Sequence, residues 1–226
     1  MNYLAHYYLD RTDPRPHFTL GLVLPDLVRN FQKQYRLNPL HLTDAKPSDE
    51  MLHLNQGVHR HFHADKVFHT STFFDQQNSE LKTKLYAAGF ESINKYIYFV
   101  AHVLLEMIID RVLIQQHPLL CFNFYDALEK TDKLVIGNYL QISGKFTDEH
   151  SEQFLLYFSQ FCKSQYLFHY RHNDGLLYGL ERMYQRYVPG VFSVTDKEKL
   201  VVIIEQTEES IAPLLTILFA EDGIFG

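Results

Sequence analysis

Residues 57–65 read Gly-Val-His-Arg-His-Phe-His-Ala-Asp, and His69 follows one helical turn after Asp65. Imidazoles and carboxylates at this density form either a wet surface or the floor of a metal site. Helical spacing sorts them. His61, Asp65 and His69 stand four apart and share one face, whereas His59 and His63 pair on another. A second ladder, His102, Glu106 and Asp110, repeats the spacing. Two helices that each carry such a ladder are the parts from which a helical bundle builds a metal centre. Oxygen ligands suit Mg²⁺ and Mn²⁺, and added imidazoles move the preference toward Mn²⁺, Fe²⁺ or Zn²⁺. Asp26, beside Pro25, offers a carboxylate from a third direction, with Arg29 one turn later. The bland reading of an i,i+4 His–Asp pair is a surface contact. His102 departs from it, because its apolar neighbours place it partly inside, where a polar group needs a partner. His117, His150, His169 and His172 read as surface or packing residues, and Tyr166, Tyr170, Tyr178 and Tyr184 as core.

The elements that must position these residues are helices. Leu4, Ala5, Tyr8 and Leu9 share a helical face, and residues 10–17 form a loop with two prolines. Residues 18–34 return to helical spacing, with Pro25 either kinking the helix or making Leu24 its end. Residues 36–49 are irregular, with Leu37, Leu40 and Leu42 as anchors. Ser48 or Asp49 then caps a helix that runs past His69. Residues 73–88 form another, stopped by Gly89. The longest periodic stretch, 91–116, is apolar over so much of its surface that it belongs at a centre. Residues 121–142 make one helix or two short ones. Thr147 caps a helix over 149–162, and Asn173 or Asp174 caps one over 175–187. Thr195 with Glu198 matches a capping box for a last helix reaching about Phe219. Residues 191–194 are the one candidate strand. The expected fold is all-α, a single-domain helical bundle covering residues 1–226.

Composition agrees. Ten Gly and eight Pro among 226 residues are too few for a many-turned all-β fold. Eighteen Phe and 15 Tyr with no Trp predict a core filled by single rings. A net charge of −6 gives no basis for non-specific nucleic-acid binding, which draws its affinity from Lys and Arg on phosphates. Cys121 and Cys162 lie in apolar helical stretches and read as small buried hydrophobes rather than a disulfide. Asp10, Arg11 and Asp13 interrupt any leading apolar run, and the longest nearly uncharged run, 96–105, is too short to span a bilayer. The expectation is a cytoplasmic protein without a membrane partner.

Several short motifs, in order, resemble one family. The opening Met-Asn-Tyr-Leu-Ala-His at 1–6 is similar to a Met-Asn-Phe-Leu-Ala-His start. Residues 21–29, Gly-Leu-Val-Leu-Pro-Asp-Leu-Val-Arg, resemble a Gly-Asn-Leu-Leu-x-Asp-Phe-Val-Arg/Lys segment. Gly57, His61 and Asp65 fit a Gly-Ile-x-x-His-Arg-x-Ile-Asp-x-x-Thr-Asp motif, and Tyr170-Arg171 and residues 175–183 resemble later segments. The family is the acyl carrier protein phosphodiesterases, relatives of the HD-domain metal phosphohydrolases. The resemblance implies an HD-domain-like bundle that hydrolyses a phosphodiester with a divalent metal, Mn²⁺ first, releasing 4′-phosphopantetheine from holo-acyl carrier protein. It implies Asp26, His61, Asp65 and Arg29 as catalytic residues. The metal ligands would be Asp26, His61, Asp65, His102 and Glu106, with His6, His59 and His69 as auxiliaries. Lys82, Lys84, Lys95, Arg182 and Arg186 are the cations available to an acidic carrier. The chain departs from the pattern at Phe62, where the family has Arg, and at Leu22. It also departs at His69, His102 and Glu106, which stand in place of aspartates. Two other readings follow from these departures: a phosphohydrolase of nucleotides or another small phosphoester, and a helical binding protein without catalysis.

Overall fold

Helices make up most of the described chain. The structure is a computed structural model that describes residues 1–39, 47–93, 95–220 and 225. Among these residues the helices are α1 (Tyr3–Leu9), α2 (Pro16–Gly21), α3 (Leu24–Phe31), α4 (Asp49–His69), α5 (Thr72–Ala87) and α6 (Ile97–Gln116). They continue with α7 (Leu120–Glu129), α8 (Lys133–Gly144), α9 (Asp148–Ser164), a 3-10 turn (Tyr166–Arg171), α10 (Asn173–Gln185) and α11 (Val194–Leu218). No described residue is in a strand, so the fold class is all-α. Residues 191–193 are irregular and Val194 opens α11. Leu40 and Leu42 lie outside the described residues, while Leu37 is buried as an anchor. Among the described residues no helix is long and apolar enough to cross a membrane.

Backbone packing divides the chain into two compact units. One, the α6 unit, consists of Met1–Ala5, Lys66–Pro118 and Tyr166–Gly226; the other, the α9 unit, consists of His6–Asp65 and Leu119–Gln165.

In the α6 unit, α6 is buried almost all round from Leu104 to Ile114, and α5, α10, α11 and the 3-10 turn pack against it. This is the central position that its broad apolar face predicts. The helix begins at Ile97 rather than at 91, for two reasons. Tyr96 takes a left-handed φ of 57°, which a side chain with a Cβ does not propagate into a helix. Upstream, the amides of Glu91 and Ser92 donate to the Asp196 carboxylate at 3.0 and 2.6 Å, so their partner is on another element and not in a helix of their own. Asp196 is at the start of α11, where Ser193 Oγ accepts its amide at 3.1 Å. The cap is therefore Ser193, two residues ahead of the expected Thr195. Likewise α10 starts at Asn173 with no side-chain cap, because the Asn173 amide oxygen accepts from Arg111 Nη1 at 2.5 Å. Tyr170 and Tyr184 are core, whereas Tyr178 is exposed, against expectation.

In the α9 unit, α3, α7 and α8 pack on α9, and α2 packs on α3 and α7. Rings fill much of this core. Phe31 meets Phe154 edge-on with centroids 5.7 Å apart, and Tyr35 lies 4.0 Å from Phe146. Thr147 caps α9 by accepting the His150 amide, and Ser48 accepts the Met51 amide at the start of α4. Residues 121–142 do divide into two helices, α7 and α8. Cys121 and Cys162 are free and buried, and burial pushes the Cys162 thiol up to about 12.

The one helix expected over 18–34 is two. It breaks at Leu22–Val23, and Pro25 sits in the first turn of α3, where its missing N–H leaves no helix bond unmade. Pro25 opens a helix here instead of ending one.

Two candidate metal centres

The first cluster is made by a close crossing in the α9 unit. A Cβ on Gly21 would lie 2.3 Å from the Leu54 carbonyl oxygen, and one on Gly57 would lie 2.2 Å from that of Phe18. Only glycine at both positions lets α2 and α4 approach this closely. One turn beyond Gly57, the buried His61 ring then reaches the carbonyl of Leu22, at the break after α2, and Nδ1–H donates to it at 2.9 Å. That bond selects the tautomer and leaves Nε2 with a lone pair, the usual way a protein aims a metal-binding imidazole. The His6 ring stacks on His61 with centroids 4.2 Å apart and an interplanar angle of 26°. Asp26, in the first turn of α3, is half-buried. His6, Asp26 and His61 each present one ligand atom, all within 4.8 Å of one another. Two nitrogens and a carboxylate oxygen fit Mn²⁺, Fe²⁺ or Zn²⁺ better than Mg²⁺ or Ca²⁺, which prefer oxygen throughout.

Asp65 is beside this cluster, with Oδ1 3.8 Å from His6 Nε2. Arg29 is exposed one turn after Asp26 on α3. His59 and His63 are exposed and belong to neither cluster. Arg60 has its Nε 2.9 Å from an Asp10 carboxylate oxygen, so its guanidinium is engaged there. Phe62 is exposed and lies edge-on to His61.

The second cluster is in the α6 unit and repeats the theme of two stacked imidazoles and a carboxylate. His69 and His102 stack with centroids 4.9 Å apart, and the Phe74 ring from α5 stands edge-on to both. Their Nε2 atoms are 3.1 Å apart, and Glu106 Oε1 is 3.1 Å from one and 3.0 Å from the other. The Met1 amine lies 3.2 Å from the same oxygen. Burial pushes the Glu106 carboxyl up, but the Met1 ammonium and the two imidazoles outweigh it and hold the group well below its ordinary range.

Asp110, the third rung of the α6 ladder, has another task. It is fully buried and accepts the amides of Leu4 and Ala5 at 3.2 and 2.8 Å, capping α1 from 106 residues away in sequence. The expected ligands are thus distributed: Asp26 and His61 come together with His6, and His102 and Glu106 with His69. The resemblance ranked His6 and His69 behind the others, and helix spacing gave no means of pairing them with partners on other elements.

Comparison with family models, curated proteins and solved structures finds no match to this chain.

Proposed function

We propose that this chain is a metal-dependent phosphodiesterase with an HD-domain-like arrangement. Its substrate, by resemblance, is holo-acyl carrier protein, from which it releases 4′-phosphopantetheine. The observation that carries the reading is the convergence of His6, Asp26 and His61 from three elements, with one imidazole already oriented by the Leu22 carbonyl. All three residues fall in the stretches that carry the family resemblance.

His6, Asp26 and His61 would hold a divalent cation, whose chemistry when bound would be to lower the pKa of a water and polarise a phosphoryl oxygen. The chain's own residues do the rest. His61 stays fixed in one tautomer by its bond to the Leu22 carbonyl, so the site needs little reorganisation. Asp65, with Oδ1 3.8 Å from His6 Nε2, is a carboxylate beside this set that would take a proton from the attacking water. Arg29, on the solvent side of α3, is placed to neutralise non-bridging phosphate oxygens through its forked donors.

The decisive experiment is conversion of holo- to apo-acyl carrier protein with Mn²⁺ added, run beside a panel of nucleotide and other small phosphodiesters. The expected outcome is Mn²⁺-dependent release of 4′-phosphopantetheine that falls at least about 100-fold in Asp26→Ala, as for the loss of a metal ligand. Turnover of the small diesters alone moves the chain to another phosphoester substrate. No turnover of any substrate leaves a helical binding protein.

A further inference from the structure

We propose that His69, His102 and Glu106 form a second cation centre, one whose donor set accepts Zn²⁺. The inference does not rest on the hydrolase reading: it follows from these three side chains alone.

The geometry is that of a ligand triangle. Ligands about 2.0–2.1 Å from a tetrahedral Zn²⁺ stand about 3.3 Å apart. The three atoms here are separated by 3.1, 3.1 and 3.0 Å, so a small opening of the triangle admits the ion. Hydrogen bonding alone accounts for the arrangement less well. An imidazole Nε2 has one in-plane position, which holds either a proton or a lone pair. Once each nitrogen uses that position toward Glu106, nothing is left to join the two nitrogens, yet they remain 3.1 Å apart. A cation joins all three contacts at once.

The supporting shell is in place as well. Phe74 stands edge-on to both rings and limits their rotation. The side chains of His69, His102 and Glu106 retain 26%, 39% and 15% of their exposure, so an ion can enter and at least one coordination position faces water. A cation would replace the Met1 ammonium as the charge partner of Glu106. Two imidazoles and one glutamate with an open position form a donor set suited to Zn²⁺, which binds nitrogen and oxygen sites more tightly than Mn²⁺ or Fe²⁺.

The test is metal stoichiometry, independent of catalysis. The full chain, freed of metal with a chelator, is titrated with Zn²⁺ and separately with Co²⁺, whose visible absorption reports nitrogen ligation and geometry. His102→Ala and Glu106→Gln are each expected to lose one equivalent of Zn²⁺ and its Co²⁺ spectrum, with affinity at that site down at least 100-fold. Asp26→Ala keeps that equivalent, and His63→Ala behaves as the unaltered chain. His102 is the most exposed of the three and Glu106→Gln is isosteric, so helical circular dichroism identifies any variant that misfolds, with His69→Asn as the replacement. Unchanged Zn²⁺ stoichiometry and affinity in His102→Ala and Glu106→Gln overturns the proposal, and so does an unaltered chain that binds no Zn²⁺ sensitive to these residues.

Discussion

Asp110 shows what a single carboxyl does when its surroundings disagree about its charge. Full burial raises it from an ordinary value of 3.8 to about 7, against the two amides of Leu4 and Ala5, which favour the ionised form. The folded chain therefore holds this proton over a range where an unfolded one has lost it. Its contribution to stability is complete below about pH 4 and disappears as pH rises through about 7. Thermal unfolding across pH 4–8 is expected to show this slope in the unaltered chain and a flatter one in Asp110→Asn. Asp110→Ala, which leaves two buried amides without an acceptor, is expected to cost about 1–3 kcal/mol per amide. Equal slopes in the unaltered chain and Asp110→Asn would exclude this role. In sequence, Asp110 was indistinguishable from Glu106: both continue the same i,i+4 ladder from His102. Their different fates come from what each meets across the packing, backbone amides in one case and two imidazoles in the other.

At the scale of elements, the α2–α4 crossing is the device that positions the first cluster. Gly57→Ala would bring a methyl group to 2.2 Å from the Phe18 carbonyl oxygen and 2.8 Å from Gly21 Cα, both backbone atoms that cannot turn aside. The helices must separate, at a cost of about 1–3 kcal/mol for an overpacked contact. His61 then draws away from the Leu22 carbonyl, so Gly57→Ala is expected to lose stability and weaken metal binding together. A variant with lowered melting temperature and unchanged metal affinity would separate the crossing from the site. The same scale explains most differences between pattern and fold. The sequence lets Pro25 kink a helix or end one at Leu24, but the break two residues earlier places it in a first turn, where it is tolerated. The helix expected from 91 starts at Ile97 because Asp196, 105 residues from Glu91, takes the upstream amide.

For the whole molecule, the testable consequence is linkage between metal and stability. A cation bound only by the folded chain stabilises it by about 2.7 kcal/mol at a free concentration 100 times its dissociation constant. For a chain of this size that is a rise in melting temperature of about 5–10 °C. Mn²⁺ is expected to produce such a rise and Asp26→Ala to reduce it; an equal rise in both would remove Asp26 from the metal set. Sequence by itself determined the all-α class, because a 3.6-residue apolar period and a shortage of turn residues are properties of local segments. Helical spacing pointed to His61, His69, His102 and Glu106, the place beside Pro25 pointed to Asp26, and the family resemblance alone pointed to His6. Which of them lie together was decided by tertiary structure alone. His61 meets the Leu22 carbonyl where two glycines let two helices touch, and His69 meets His102 across the packing against α6. Spacing along a helix defines a face, and the partner of that face lies tens of residues away, where no local pattern can record it.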